Sequence, residues 1–142
     1  MTTTLLIEQL RIPPTGIHLL TKIYINRKVA RFVIDTGASQ TVLDANRVQH
    51  YIPKGNKRKV DSITIGVGTN EMESAVITLP SLKLGTITTK NFEIVLLDLY
   101  HVNHSYSTMG FKNIDGILGS DLLKKFNAVI NFNKLRLTLQ VK

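Results

Sequence analysis

The sequence predicts a mainly β protein in one domain, residues 1–142, on three observations. Short runs rich in Val, Ile, Thr and Phe recur along the chain, separated by turn residues such as Asn26-Arg27, Gly66-Val67-Gly68 and Asn133-Lys134. The clearest helix start lies near the end, at Ser120-Asp121 before Leu122-Leu123. With 142 residues, 43% of them hydrophobic, the chain suits one core, and no repeat or linker divides it.

In order, residues 4–12 alternate weakly and read as an N-terminal strand stopped by Pro13-Pro14. Residues 17–25 are rich in β-formers and should form a hairpin with 29–35 through Asn26-Arg27. Residues 43–50 hold helix formers and suggest a short helix. The basic run Lys54-Gly55-Asn56-Lys57-Arg58-Lys59 reads as an exposed loop. A strand over 60–66, a tip at Gly66-Val67-Gly68-Thr69-Asn70 and a returning strand over 71–79 make a second hairpin. Pro80 interrupts the pattern, and further strands are expected at 82–85 and 86–97. The polar stretch 98–113 reads as a long loop. A short helix over 120–126 and strands at 128–132 and 135–141 complete the chain.

One stretch stands apart: Phe32-Val33-Ile34-Asp35-Thr36-Gly37-Ala38-Ser39-Gln40-Thr41-Val42-Leu43. Three apolar residues deliver a carboxylate, Asp35, onto a tight turn containing a hydroxyl and a glycine. Strand burial would raise the pKa of such an acid, while turn amides and the hydroxyl would hold its ionised form, the setting of an acid or base at work. Taken alone, Asp-Thr-Gly reads first as the polar end of a strand entering a turn, since three-residue matches occur by chance. A second apolar stretch, Ile114-Asp115-Gly116-Ile117-Leu118-Gly119-Ser120-Asp121-Leu122-Leu123, shifts the balance: a strand tip, a glycine, then a helix start with Ser120 or Asp121 as its cap.

Together the two motifs resemble the retropepsin-like aspartic proteases, over roughly residues 17–139. In that family a strand carrying hydrophobic-hydrophobic-Asp-Thr/Ser-Gly-Ala lies beside one carrying hydrophobic-hydrophobic-Gly, and a helix follows. Val33-Ile34-Asp35-Thr36-Gly37-Ala38 and Ile117-Leu118-Gly119 occupy those places. The resemblance implies a single-domain acid protease barrel with a flap hairpin and one short C-terminal helix. It makes Asp35 the catalytic residue, Thr36, Gly37, Ala38 and Gly119 its support, and Ile65, Gly66, Val67 and Gly68 the flap over a peptide or protein substrate.

Peptide hydrolysis of this kind uses two carboxylates sharing one proton across a bound water; one deprotonates the water, the other polarises the scissile carbonyl. No second Asp-Thr/Ser-Gly exists here: Asp61 precedes Ser62-Ile63, Asp98 precedes Leu99, Asp115 precedes Gly116 and Asp121 precedes Leu122. The resemblance therefore implies a homodimer with one Asp35 from each chain. The strands near 4–10 and 135–141 are the expected interface. Retroviral members usually carry two aspartates after Asp-Thr-Gly-Ala and an arginine after the second glycine; Ser39, Gln40 and Ser120 stand there instead. The extra length between Pro80 and Asp115 points to a cellular or bacterial relative.

Composition weighs on the alternatives. Cysteine is absent, which excludes thiol catalysis, thiolate metal sites and disulfides. No cofactor or metal is called for: His101 and His104 lack a third ligand and read as loop histidines. The net charge of +8, from 18 basic and 10 acidic residues, raises nucleic-acid binding, but few aromatics accompany the basic run. No apolar run approaches the roughly 20 residues of a spanning helix. Met1-Thr2-Thr3-Thr4 lacks the basic start of a signal peptide, which favours the cytoplasm while leaving an upstream anchor open. Two readings lead: an aspartic endopeptidase, and a catalytically silent peptide-binding module of the same fold.

Overall fold

The computed structural model describes residues 1–53, 57–63 and 72–141. The chain opens with β1 (Thr2–Leu6) and β2 (Glu8–Ile12), then β3 (Gly16–Ile25) and β4 (Lys28–Ile34). The 4–12 strand is thus two strands split at the buried Ile7, whose amide bonds to Leu135 O (3.0 Å). The β3–β4 hairpin turns on Asn26 and Arg27, with φ of 48° and 69°, the paired left-handed residues that a two-residue turn requires. Asn26 also donates its amide hydrogen to Ser81 O and its side chain to Tyr51 O, fixing the turn against two later elements.

Beyond the Asp35 turn come β5 (Val42–Asp44) and α1 (Val48–Tyr51), where one helix was expected over 43–50. Val42, Leu43 and Asp44 are buried between strands, and that pairing outweighs their helical propensity. β6 (Lys57–Ile63) takes Lys57, Arg58 and Lys59 into a strand rather than a loop; its partner is β7 (Met72–Leu84). β7 runs through Pro80 without stopping. It pairs with β8 (Ile87–Leu97) through Leu79↔Phe92 and Ser81↔Lys90, and Asn91, with φ of 54°, lets the ladder skip the residue that has no N–H.

The expected loop at 98–113 is largely a helix, α2 (Tyr100–Thr108). After it come β9 (Gly116–Leu118), α3 (Ser120–Lys125), β10 (Val129–Asn131) and β11 (Arg136–Gln140). The helix expected at Ser120 is therefore present, the one expected over 43–50 is confined to 48–51, and only the helix at 100–108 was not foreseen.

The strand order β2-β3-β4-β9-β5-β8-β7-β6, with β3 also pairing to β7, closes six strands into a barrel. The larger core cluster fills it, with Phe32, Tyr51, Ile23 and Leu79 fully buried. A second cluster, including Leu20, Val42, Val95, Tyr106 and Ile114, seats α2 on the outside. A separate sheet, β1-β11-β10, joins the two ends of the chain.

Candidate active site

β4 and β9 lie parallel, pairing Phe32↔Gly116, Val33↔Ile117 and Ile34↔Leu118. That register brings the two motifs level, so that the turns beginning at Asp35 and Gly119 leave the barrel side by side. The Asp35 amide donates to Leu118 O (3.0 Å), and the Ser120 amide to Ala38 O (2.7 Å). β5 pairs antiparallel with β9 from its other side, so β9 is clamped between the two strands that flank the turn. Glycine is required twice here. A Cβ on Gly119 would lie 2.7 Å from the Gln40 carbonyl carbon and oxygen, and one on Gly116 would collide with Val42 O and the Phe32 ring.

Within the turn, the Gly37 amide donates to Asp35 Oδ1 (2.9 Å) and the Ala38 amide to Asp35 O (3.2 Å). Gly37 does not need the left-handed region; a Cβ there would sit 3.3 Å from Asp35 Oδ1. Ala38 is buried, whereas Asp35, Thr36 and Gly37 are exposed. The carboxylate expected at a buried strand end thus faces solvent, held by a backbone amide.

Sequence reading missed the support beneath the turn. Thr41 is buried and donates Oγ1–H to Asp121 Oδ1 (2.6 Å), its amide to Asp121 Oδ2 (3.1 Å), and accepts the Gly119 amide on Oγ1 (3.1 Å). Neither Ser120 nor Asp121 is the cap expected of it: the N-cap position of α3 is Gly119, with no side-chain cap bond, and the Asp121 carboxylate instead ties the helix start to Thr41, past the turn. Its signal was a hydroxyl and a carboxylate, one just past each motif.

The other acids nearby are engaged elsewhere. Asp115 accepts the Arg31 amide (2.9 Å) and Arg47 Nε (2.9 Å), a bond that raises the Arg47 pKa. Buried Asp44 accepts the Leu99 amide (3.2 Å) and the Asn46 side chain (2.9 Å). Burial, the largest cause, pushes Tyr51 up to about 12, and its hydroxyl donates to Val29 O (3.0 Å).

Asp35 and Thr36 open onto a cavity of about 440 Å³, within the span of about 300–1,000 Å³ common to small-ligand sites. Its walls are mostly apolar, among them Val33, Ile117, Val102 and Ile130, and Asp35 is the one acidic residue lining it among the described residues. Ile65, Gly66, Val67 and Gly68 lie outside the described residues. His101 and His104 flank the exposed Tyr100 ring at 5.5 and 5.7 Å. No group of three or more His, Cys, Asp or Glu placed to hold a metal occurs among the described residues. No helix among them is long and apolar enough to cross a membrane.

Comparison with known proteins agrees with this geometry. A family profile described as aspartyl protease matches residues 21–122. No curated protein matches the chain. Among solved structures, a retropepsin-like aspartic protease from Rickettsia conorii superposes with a TM-score of 0.60 at 22% identity, covering 98% of this chain and 89% of that one. The retroviral protease-like domain of Ddi1 from Leishmania major gives 0.56 at 16% identity over 86% of this chain and 87% of that one. The EIAV protease complexed with the inhibitor HBY-793 gives 0.54 at 19% identity, over 81% and 92%. With its matched profile spanning both motifs and its barrel shared with these structures, this chain belongs to the aspartyl protease family and has the retropepsin-like fold.

Proposed function

We propose that the chain is an aspartic endopeptidase working as a homodimer, each copy supplying one Asp35. The observation that carries this is the exposed Asp35 carboxylate, oriented by the Gly37 amide and opening onto a mostly apolar cavity with no second acid in its lining among the described residues. A lone carboxylate cannot serve as base and acid at once. Two of them about a two-fold axis share a proton: one takes a proton from water, the other donates a hydrogen bond to the scissile carbonyl. The like charges cannot both ionise at close range, so the pair titrates as a unit and activity belongs in mild acid.

We place this association at an edge other than the expected strand ends. β1 and β11 already pair with each other within the chain, from Thr2↔Gln140 to Leu6↔Arg136. Among the described residues β10, like β1, pairs with β11 on one side and ends the sheet on the other, but of the two only β10 lines the Asp35 cavity. Val129 and Phe132 are each 60% exposed there, while Ile130 and Phe132 share the cavity lining with Asp35. A second copy adding its own β10 would continue the sheet and cover this apolar edge.

The test is peptidase activity in mild acid, with Asp35→Asn as control and sedimentation in parallel. Turnover by the native chain, lost in Asp35→Asn and rising per chain with concentration, supports the reading. Peptide binding without turnover would identify the silent module instead. Equal turnover by Asp35→Asn would overturn the aspartic mechanism.

A further inference from the structure

The cavity beside Asp35 has two kinds of wall. Val33 and Ile117 come from the paired strands that carry the motifs; Val102 and Tyr106 come from α2, the segment whose polar sequence reads as a loop. α2 is fixed rigidly for so short a helix. Asn103, buried, accepts the Ile114 amide (2.7 Å) and donates to Ile114 O (3.1 Å) and Asp44 Oδ2 (3.4 Å). Tyr106, also buried, bonds through its hydroxyl to His18 Nδ1 (2.7 Å), with the rings 5.7 Å apart. His18 is exposed on β3 at the cavity, and its Nε2 makes no hydrogen bond among the described residues.

We infer that Val102 and His18 determine which substrate side chain enters this cavity, with Tyr106 positioning His18. The inference rests on the peptidase reading and adds to it a wall that neither motif supplies. Val102, half-buried, sets the depth of the apolar part. His18 places a hydrogen-bonding nitrogen in a lining that is apolar apart from Asp35, Thr36 and Tyr106, so a side chain carrying both an apolar body and a polar tip gains a partner there. Without the Tyr106 bond the His18 ring is free to turn away, and that discrimination falls while the apolar volume stays unchanged.

The experiment uses a pool of acetylated hexapeptides varied at one central position. Cleavage preference is read on the native chain and on Val102→Ala, Val102→Phe and Tyr106→Phe. Binding of the same pool to an Asp35→Asn chain is read from the Val102 methyl and His18 ring NMR signals. Val102→Phe should disfavour large central residues about tenfold and Val102→Ala should shift preference towards them, the scale of a methylene or two in a pocket. Tyr106→Phe should move the His18 signals and narrow the gap between polar-tipped and purely apolar residues, read as the ratio of their kcat/KM values.

If the native chain cleaves but none of these variants alters its preference, the inference fails and the peptidase reading stands. If nothing is cleaved, yet peptides shift Val102 and His18 in the binding measurement, the peptidase reading fails and the pocket assignment holds. If the peptides shift neither signal and no cleavage occurs, both fall.

Discussion

At the scale of single residues, the site depends on a carboxylate and on the bonds that keep its turn in place. Asp35→Asn should remove turnover without altering the far-UV circular dichroism, because an amide keeps the shape but cannot pass a proton. Thr41→Val should be costlier to stability than its surface neighbours. It leaves the Gly119 amide and Asp121 Oδ1 short of a partner, and should destabilise the chain by about 1–3 kcal/mol in urea unfolding. Gly119→Ala meets main-chain atoms that cannot swing aside, and should unfold more readily or lose activity outright. The Asp35 turn at the end of β4 was legible from sequence because its motif is local. Thr41 and Asp121 were not, since their meaning lies in a bond between residues 80 positions apart.

Elements tell a similar story. The β3–β4 hairpin and α3 could be read because Asn26-Arg27 and the Gly119-Ser120 helix start announce themselves locally. α2 could not. Only Asn103 and Tyr106 among its residues are buried, so it shows no apolar stripe, and the Asn103 hydrogen bonds to Ile114 and Asp44 add to what Val102 and Tyr106 gain in the second cluster. Asn103→Ala should therefore loosen α2 while sparing the barrel, seen as faster hydrogen exchange confined to about residues 98–114. Acid should reach the same place. The Asn46 side chain, then the Tyr100 amide, hold Asp98 below its ordinary value. A carboxylate depressed on folding stabilises the fold above its unfolded pKa and ceases to do so as pH falls through its folded one. α2 should consequently persist through mild acid and loosen only below about pH 4, a step that Asp98→Asn removes from a pH series of exchange measurements.

For the whole molecule, the barrel was what the resemblance carried by the ordered pair of motifs implied, whereas the use of the terminal strands was not. Their composition allowed pairing within or between chains, and the register Thr2↔Gln140 to Leu6↔Arg136 shows the former. Association through β10 predicts that Ile130→Asp leaves a folded chain that sediments as a monomer and lacks peptidase activity at every concentration. A folded Ile130→Asp chain that still dimerises would move the interface elsewhere.

The small sheet that joins the chain ends has a consequence for folding. Its middle strand, β11, is the last of the elements in chain order, and one of its two partners, β1, is the first. Until β11 arrives, β1 and β10 are both strand edges with nothing between them, and Ile7 lacks its Leu135 partner. Such far-apart pairing is slow to find. The barrel strands can meet earlier, but a chain cut before Arg136 would display two sticky edges at once. Truncation there should yield aggregates rather than a smaller working enzyme.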